Sequence, residues 1–381
     1  MSSVPDEIYL EVLSRLPVRS TYVCKCVCKT WFSIISNPNF VKKHLNHSLQ
    51  RNKPTLMLKG MDGVKEVIYS IGHDSLKSLL SRDKFLDYAV EMDYPFNSPE
   101  CLVDLLGCCH GLVCLWLEVG DGTFLCLWNP ATKEYKQVPK SPDDHDDMNQ
   151  MSMVAFGYDS KNDDYKLLTR FDNLVQVYSL GLNSWKRIEN VEFRSFRDAG
   201  VLVNGDLHWL AESKDSSRQI VVSLDMSEEI FKEMQLPKTS VSRPHRFMTV
   251  GALEGCLCVL GSVICLQAEV WVMQDYGVHE SWTKRYVINH ESVANDYLLR
   301  LVWSFKSGEI LFGISSNGSL ISYDPNYRRL RSTNLLRVTH LQKEGSYCES
   351  LISLNSNTYQ GRTRGTNRSV PRHRGGLDSL D

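Results

Sequence analysis

Leu125-Cys126-Leu127-Trp128-Asn129-Pro130-Ala131-Thr132-Lys133-Glu134-Tyr135-Lys136-Gln137-Val138 lies without a gap over Val175-Gln176-Val177-Tyr178-Ser179-Leu180-Gly181-Leu182-Asn183-Ser184-Trp185-Lys186-Arg187-Ile188. The same phrase returns between Val221 and Met234, where Asp225 and Phe231 take the places of Asn129 and Tyr135. In every copy an apolar run ends at a small polar residue, and a bulky residue opens the next run. Two looser copies follow: Val270-Trp271-Val272-Met273 ahead of Trp282, with a one-residue insertion, and Leu320-Ile321-Ser322-Tyr323-Asp324-Pro325 ahead of Leu330. The anchors at 135, 185, 231, 282 and 330 are 50, 46, 51 and 48 residues apart. A weaker first copy runs from Val67 to Ile71 toward Leu76. Short alternating runs broken by Gly, Asn and Asp predict strands. Upstream of the copies, His110-Gly111, Asn162-Asp163, Asn204-Gly205, Glu254-Gly255 and Ser307-Gly308 predict hairpin turns, Asn204-Gly205 most clearly because a two-residue turn needs positive φ at both positions.

Roughly four strands per unit of about 50 residues is the period of a kelch-type β-propeller blade. One four-stranded sheet cannot bury both its faces, whereas sheets packed around an axis can. The expected body is therefore a propeller of about six blades over residues 55–356. The strand-like run Tyr347–Leu354 is expected to complete the first blade. A seventh blade would have to hide in residues 76–105, and an open solenoid or sandwich is the alternative architecture.

Composition sets outer bounds. Hydrophobic residues make up 42% and charged ones 23%, so a packed core is expected over most of the length. Net charge is −2, divided between basic ends and a mildly acidic middle, which removes bulk attraction to nucleic acid or to a membrane. Met1–Glu7 offers neither a basic region nor an apolar run of a secretory signal, and no membrane span is expected. Cytosol or nucleus is the expected compartment, with the twelve cysteines as reduced thiols and the sequons at Asn46, Asn317 and Asn367 as chance occurrences.

The first 46 residues read differently. Pro5 suits a first helical position, with Ile8, Val12, Leu13 and Leu16 on one face until Pro17 stops the helix. A second helix is expected from about Arg19 to Ile35, and Asn37-Pro38 opens a short third one toward Leu45. Three short helices cannot bury much alone, so this head needs a partner. Residues 47–54 read as a linker, and 357–381, rich in Arg and without apolar periodicity, as a disordered tail.

Val4-Pro5-Asp6-Glu7-Ile8, Val12-Leu13-Ser14-Arg15-Leu16-Pro17-Val18-Arg19-Ser20, Cys26-Val27-Cys28-Lys29-Thr30-Trp31 and Ile34-Ile35-Ser36-Asn37-Pro38-Asn39-Phe40 follow one another as in an F-box, which the head resembles. The body resembles the F-box-associated, kelch-like domain of plant F-box proteins through Cys109-His110-Gly111-Leu112-Val113, Trp128-Asn129-Pro130-Ala131-Thr132, Phe156-Gly157-Tyr158-Asp159 and Asn183-Ser184-Trp185-Lys186. The chain is similar to immune-regulating and S-locus F-box receptors. The resemblance implies the substrate-recognition subunit of an SCF-type cullin–RING ubiquitin ligase. Its head would dock the adaptor subunit, and through it cullin and RING protein, while its propeller holds an unidentified target protein. Carried over position by position, the docking surface comprises Val4, Pro5, Ile8, Leu13, Leu16, Pro17, Val27, Lys29 and Trp31. Where the family usually shows two leucines, an arginine and a phenylalanine, this chain has Thr21, Tyr22, Val23 and Cys24, which is expected to loosen the second helix.

Other chemistry reads weakly. Cys24, Cys26 and Cys28 suggest a metal, but on a helix only Cys24 and Cys28 share a face and no partner pair follows. His279-Glu280 and His290-Glu291 lack the second histidine of a zinc hydrolase, and Asp143–Asp147 lacks a calcium-loop pattern. No cofactor, metal or active site of the chain's own is expected. The alternative reading is a binding scaffold or decoy that no longer recruits a ligase. A propeller enzyme would need an arginine triad or a copper site in its funnel.

Overall fold

The computed structural model describes residues 5–355 apart from short stretches, the longest being 83–87, 142–150, 239–246, 290–298 and 335–344. Val4, the acidic run Asp143–Asp147 and the Arg-rich tail thus lie outside the described residues. Six sheets, antiparallel apart from a short parallel pairing of Asp198–Ala199 with Met151–Asp159, make a six-bladed β-propeller. Blade II is typical: Leu102–Cys109, Leu112–Val119, Gly122–Asn129 and Glu134–Gln137 pair in sequence order. Blades III, V and VI begin with Met151–Asp159, Phe247–Leu253 and Leu299–Ser304 and end with Ser184–Ile188, Trp282–Ile288 and Arg329–Asn334. In blade IV two short strands, Phe193–Ser195 and Val201–Val203, share the role of first strand beside Asp206–Ser213. First strands of neighbouring blades pack on one another, which places them around the axis.

Local chemistry explains the repeat. The small polar residue after each third strand is a cap for the turn that follows. Asn129 Oδ1 accepts from the Ala131 and Thr132 N–H groups, Asp225 Oδ1 from Ser227 and Glu228, and Asp324 Oδ1 from Asn326 and Tyr327. This is the turn that Asn and Asp favour. Each turn then spends one residue in the left-handed region, at Lys133, Asn183, Glu229 and Arg328. Blade V departs from the pattern, because a 3₁₀ turn at His279–Ser281 precedes Trp282. The first hairpins close as the sequence indicates: His110-Gly111, Asn204-Gly205 and Glu254-Gly255 all have positive φ at both residues.

Ring closure is displaced from its expected place. The closing strand is Gly345–Tyr347, paired with Thr55–Met57 in blade I, rather than Tyr347–Leu354. Residues 348–354 leave the sheet because they are needed elsewhere, under the head. Blade I continues with Lys65–Ile71 and Val90–Glu91, while Leu76 lies on helix His73–Arg82 instead of opening a strand. No seventh blade occupies the described part of residues 76–105.

The apolar residues sort into six clusters, one per gap between neighbouring blades. The III–IV gap is also pinned by a buried cation. Lys166 Nζ lies 3.0 Å from Asp159 and 2.9 Å from Glu229, and donates to the Met226 carbonyl at 2.6 Å. Burial opposes ionisation of Asp159, but hydrogen bonds from Asn162, Ser227 and Lys166 outweigh it and hold its carboxyl at about 2.

Candidate functional site

The head contains four helices: α1 (Asp6–Ser14), α2 (Val18–Cys24), α3 (Lys29–Ser36) and α4 (Pro38–Arg51). The expected helix from Arg19 to Ile35 is broken because Cys28 is fully extended and its Sγ caps α3 by accepting from the Trp31 N–H at 3.5 Å. The last helix runs on to Arg51, through residues that read as linker. Its inner face carries Phe40, Val41, His44 and Leu45, all buried.

That face is the mount. The cluster that fills the gap between blades II and III continues without a break into Leu13, Val18, Ile35, Phe40, Val41 and Leu45 of the head. Each such side chain contributes roughly 1.5–3 kcal/mol when fully buried. Polar contacts register the seam: Lys42 Nζ pairs with Asp163 at 2.7 Å, and Asp163 also accepts from the Tyr158 hydroxyl. Residues 348–354 complete it from below. Asn129 Nδ2 donates to the carbonyls of Ser350 (3.2 Å) and Ile352 (2.6 Å), while Glu134 Oε2 accepts from Ser353 Oγ (2.6 Å) and the Leu354 N–H (2.8 Å). Gly111 lies against this segment so closely that a Cβ would fall 2.5 Å from the Cys348 carbonyl and from Ser350 Oγ.

Within the head, Glu11 of α1 is held by Lys43 of α4 at 2.5 Å and by Arg15, and these hydrogen bonds keep its carboxyl at about 2. His44 donates through Nε2 to the Leu16 carbonyl at 2.9 Å, and desolvation pushes its pKa down. Thr21 is fully buried, with its hydroxyl 3.1 Å from the Pro17 carbonyl and 3.4 Å from His44 Nε2. At Thr21 a hydrogen-bonded hydroxyl fills the buried site.

Outward, α1 to α3 present what α4 hides. Ile8, Val12, Tyr22, Val23, Val27 and Phe32 are all more than 40% exposed. Of the residues assigned to docking, Pro5, Ile8, Pro17, Val27 and Lys29 are exposed. Leu16 and Trp31 are half-buried, with Trp31 edge-on to Tyr9 at 5.9 Å. Leu13 is a correction: at 1% exposure it belongs to the core, because it sits on the side of α1 that faces the mount. Val12, Tyr22, Val23 and Phe32 are exposed but are not among the residues carried over to docking, since helical periodicity marks a face as apolar without saying whether its own chain covers it. Among the described residues no group of His, Cys, Asp and Glu is gathered to hold a metal.

Comparison with known proteins agrees with this layout. The F-box domain family matches residues 1–43, and the F-box associated beta propeller domain family matches residues 67–357. F-box/kelch-repeat protein At3g23880 of Arabidopsis thaliana is 33% identical over 295 residues, covering 74% of this chain and 78% of that one. F-box protein CPR1 of Arabidopsis thaliana is 27% identical over 369 residues, covering 88% and 85%. The chain belongs to the F-box proteins that carry an F-box associated β-propeller domain.

Proposed function

We propose that this chain is the substrate-recognition subunit of an SCF-type cullin–RING ubiquitin ligase, its head docking the adaptor subunit and its wheel holding a target protein for ubiquitination and degradation. One observation carries the reading: α1–α3 leave large apolar side chains uncovered while α4 shares a core with blades II and III. Exposed aromatic and aliphatic groups on a small rigid unit are the material of a protein interface. A shared core fixes the wheel relative to that interface. A receptor of this kind needs no nucleophile, since it works by raising the local concentration of target lysines near a ubiquitin-charged enzyme held elsewhere in the assembly.

Co-expression of the full chain with the adaptor subunit, followed by size-exclusion chromatography, tests the proposal. The pair co-elutes, and Val27→Asp with Phe32→Asp abolishes co-elution without changing the melting temperature, because both residues are exposed. Undiminished co-elution of this double variant and of the Pro17→Ala, Trp31→Ala pair overturns it.

A further inference from the structure

The outer strands of blades V and VI, Trp282–Ile288 and Arg329–Asn334, flank a cleft of about 520 Å³. Five consecutive residues, Arg285 to Asn289, line one wall. Arg285 is the extra residue of a β-bulge, and beyond it neighbouring side chains point to opposite faces, so a wall that continues through consecutive residues is the edge of the strand with its backbone. That edge has no partner among the described strands.

The charge of the cleft is unbalanced. Arg285 and Arg328 line it, and among the described residues no carboxylate does. At three of the anchors a basic residue one or two positions on is cancelled: Lys186 meets Glu229 at 2.6 Å, Lys232 meets Asp225 at 3.5 Å and Lys284 meets Glu269 at 2.7 Å. Arg285 bonds to Tyr286 and lies 5.7 Å from the centre of its ring, and among the described residues its carboxylate partner is Glu254, at 4.0 Å with both side chains half exposed, a weak pairing. Arg328 is exposed and has no ion pair among the described residues. Between the two cations lies an aromatic and aliphatic floor: Tyr286 sits edge-on to Tyr323 at 6.1 Å, flanked by Val287 and Leu330. In a wheel whose sequence is mildly acidic overall, this is a place built for opposite charge.

We infer that the cleft takes an extended segment of a partner protein in which carboxylate side chains alternate with small aliphatic ones. The segment adds to the free strand edge by backbone hydrogen bonds, the general mode of strand addition. Its carboxylates meet Arg285 and Arg328, whose planar guanidinium groups suit carboxylate geometry. Its aliphatic side chains rest on Val287 and Leu330. The inference deepens the receptor reading by naming the chemical class of the target, and it rests on that reading only for its biological meaning.

The test is fluorescence anisotropy of a labelled peptide alternating Glu and Val, titrated with the purified full chain, at low and high salt. The Glu-Val peptide binds, a Lys-Val peptide does not, and added salt weakens binding. Arg285→Glu with Arg328→Glu lowers affinity at least about tenfold, whereas Arg187→Glu on the outer strand of blade III changes it less than about twofold. Failure of the wild-type chain to bind, equal affinity in the cleft variant, or an equal loss in Arg187→Glu overturns the inference. Adaptor co-elution is read separately. A chain that binds the peptide but not the adaptor sinks the receptor reading and leaves the cleft standing.

Discussion

Blades II and IV come from the same repeat and close their first hairpins with the same two-residue turn, yet they stand in different surroundings. At Asn204-Gly205 nothing lies within 4 Å of where a glycine Cβ would be; at His110-Gly111 the chain from Cys348 to Ser350 fills that space. Asp225 in blade IV caps its own turn, whereas Asn129 caps its turn and grips residues 350 and 352 as well. The repeat explains what the two blades share. What blade II adds is the seat of the head, so its extra contacts trace the route by which an apolar docking face is held at a fixed position on the wheel.

Matched substitutions break or sharpen that contrast. Gly111→Ala combines the cost of a left-handed alanine, about 1–2 kcal/mol, with overpacking of about 1–3 kcal/mol against the 348–350 backbone. It lowers the urea midpoint by the equivalent of about 3–4 kcal/mol, while Gly205→Ala loses only about 1 kcal/mol. Asn129→Ala leaves two buried carbonyls and two turn N–H groups without their partner and costs about 2–3 kcal/mol. Asp225→Ala, which removes a cap and an exposed pair with Lys232, costs about 1 kcal/mol. Equal losses within either pair in equilibrium unfolding would show that residues 348–354 do not brace the seam. Lys42→Ala removes the half-exposed pair with Asp163 and costs at most about 1 kcal/mol, against nothing measurable for Lys232→Ala.

The smallest effect is read as a pH slope. Burial pushes His110 in blade II and His208 in blade IV below the ordinary 6.5. The unfolded chain therefore takes up the proton first. Stability from the neutral rings is whole above about pH 6.5 and is lost as pH falls toward the folded values. His110 sits 3.3 Å from the Tyr165 hydroxyl, with Lys42, Asp163 and Tyr158 around the same small cavity. His208 lies against Tyr276 at 2.9 Å and is partly supported by Asp206. His110→Gln consequently flattens the acid limb of the stability profile more than His208→Gln does; the reverse order, measured by urea midpoints between pH 7.5 and 5, would contradict the assignment.

What the sequence disclosed follows from range. Anchors such as Tyr135 and Trp185, and turns such as Asn204-Gly205, are decided within a few residues, so the repeat could be read directly. The fourth helix was half legible: Asn37-Pro38 marks its start, but nothing local stops it before Arg51. Leu13 and Phe32 show the limit most clearly. Both are apolar and at helical spacing, and only the position of blades II and III makes the first core and the second surface. Arg285 and Arg328, distant in sequence, become a pair only when two blades are set side by side.

Blade I has a consequence for how the molecule is made. Thr55 pairs with Tyr347, so the wheel is sealed by strands from opposite ends of its sequence. Contacts of such separation are slow to form, because a long loop must be closed before any of them is gained. On the ribosome, α1–α4 emerge early but their seat is finished only when Leu351–Leu354 arrive. A chain halted before residue 345 carries an unclosed ring and an unbraced head, so the wheel gains its rigidity only once residues 345–354 have been made.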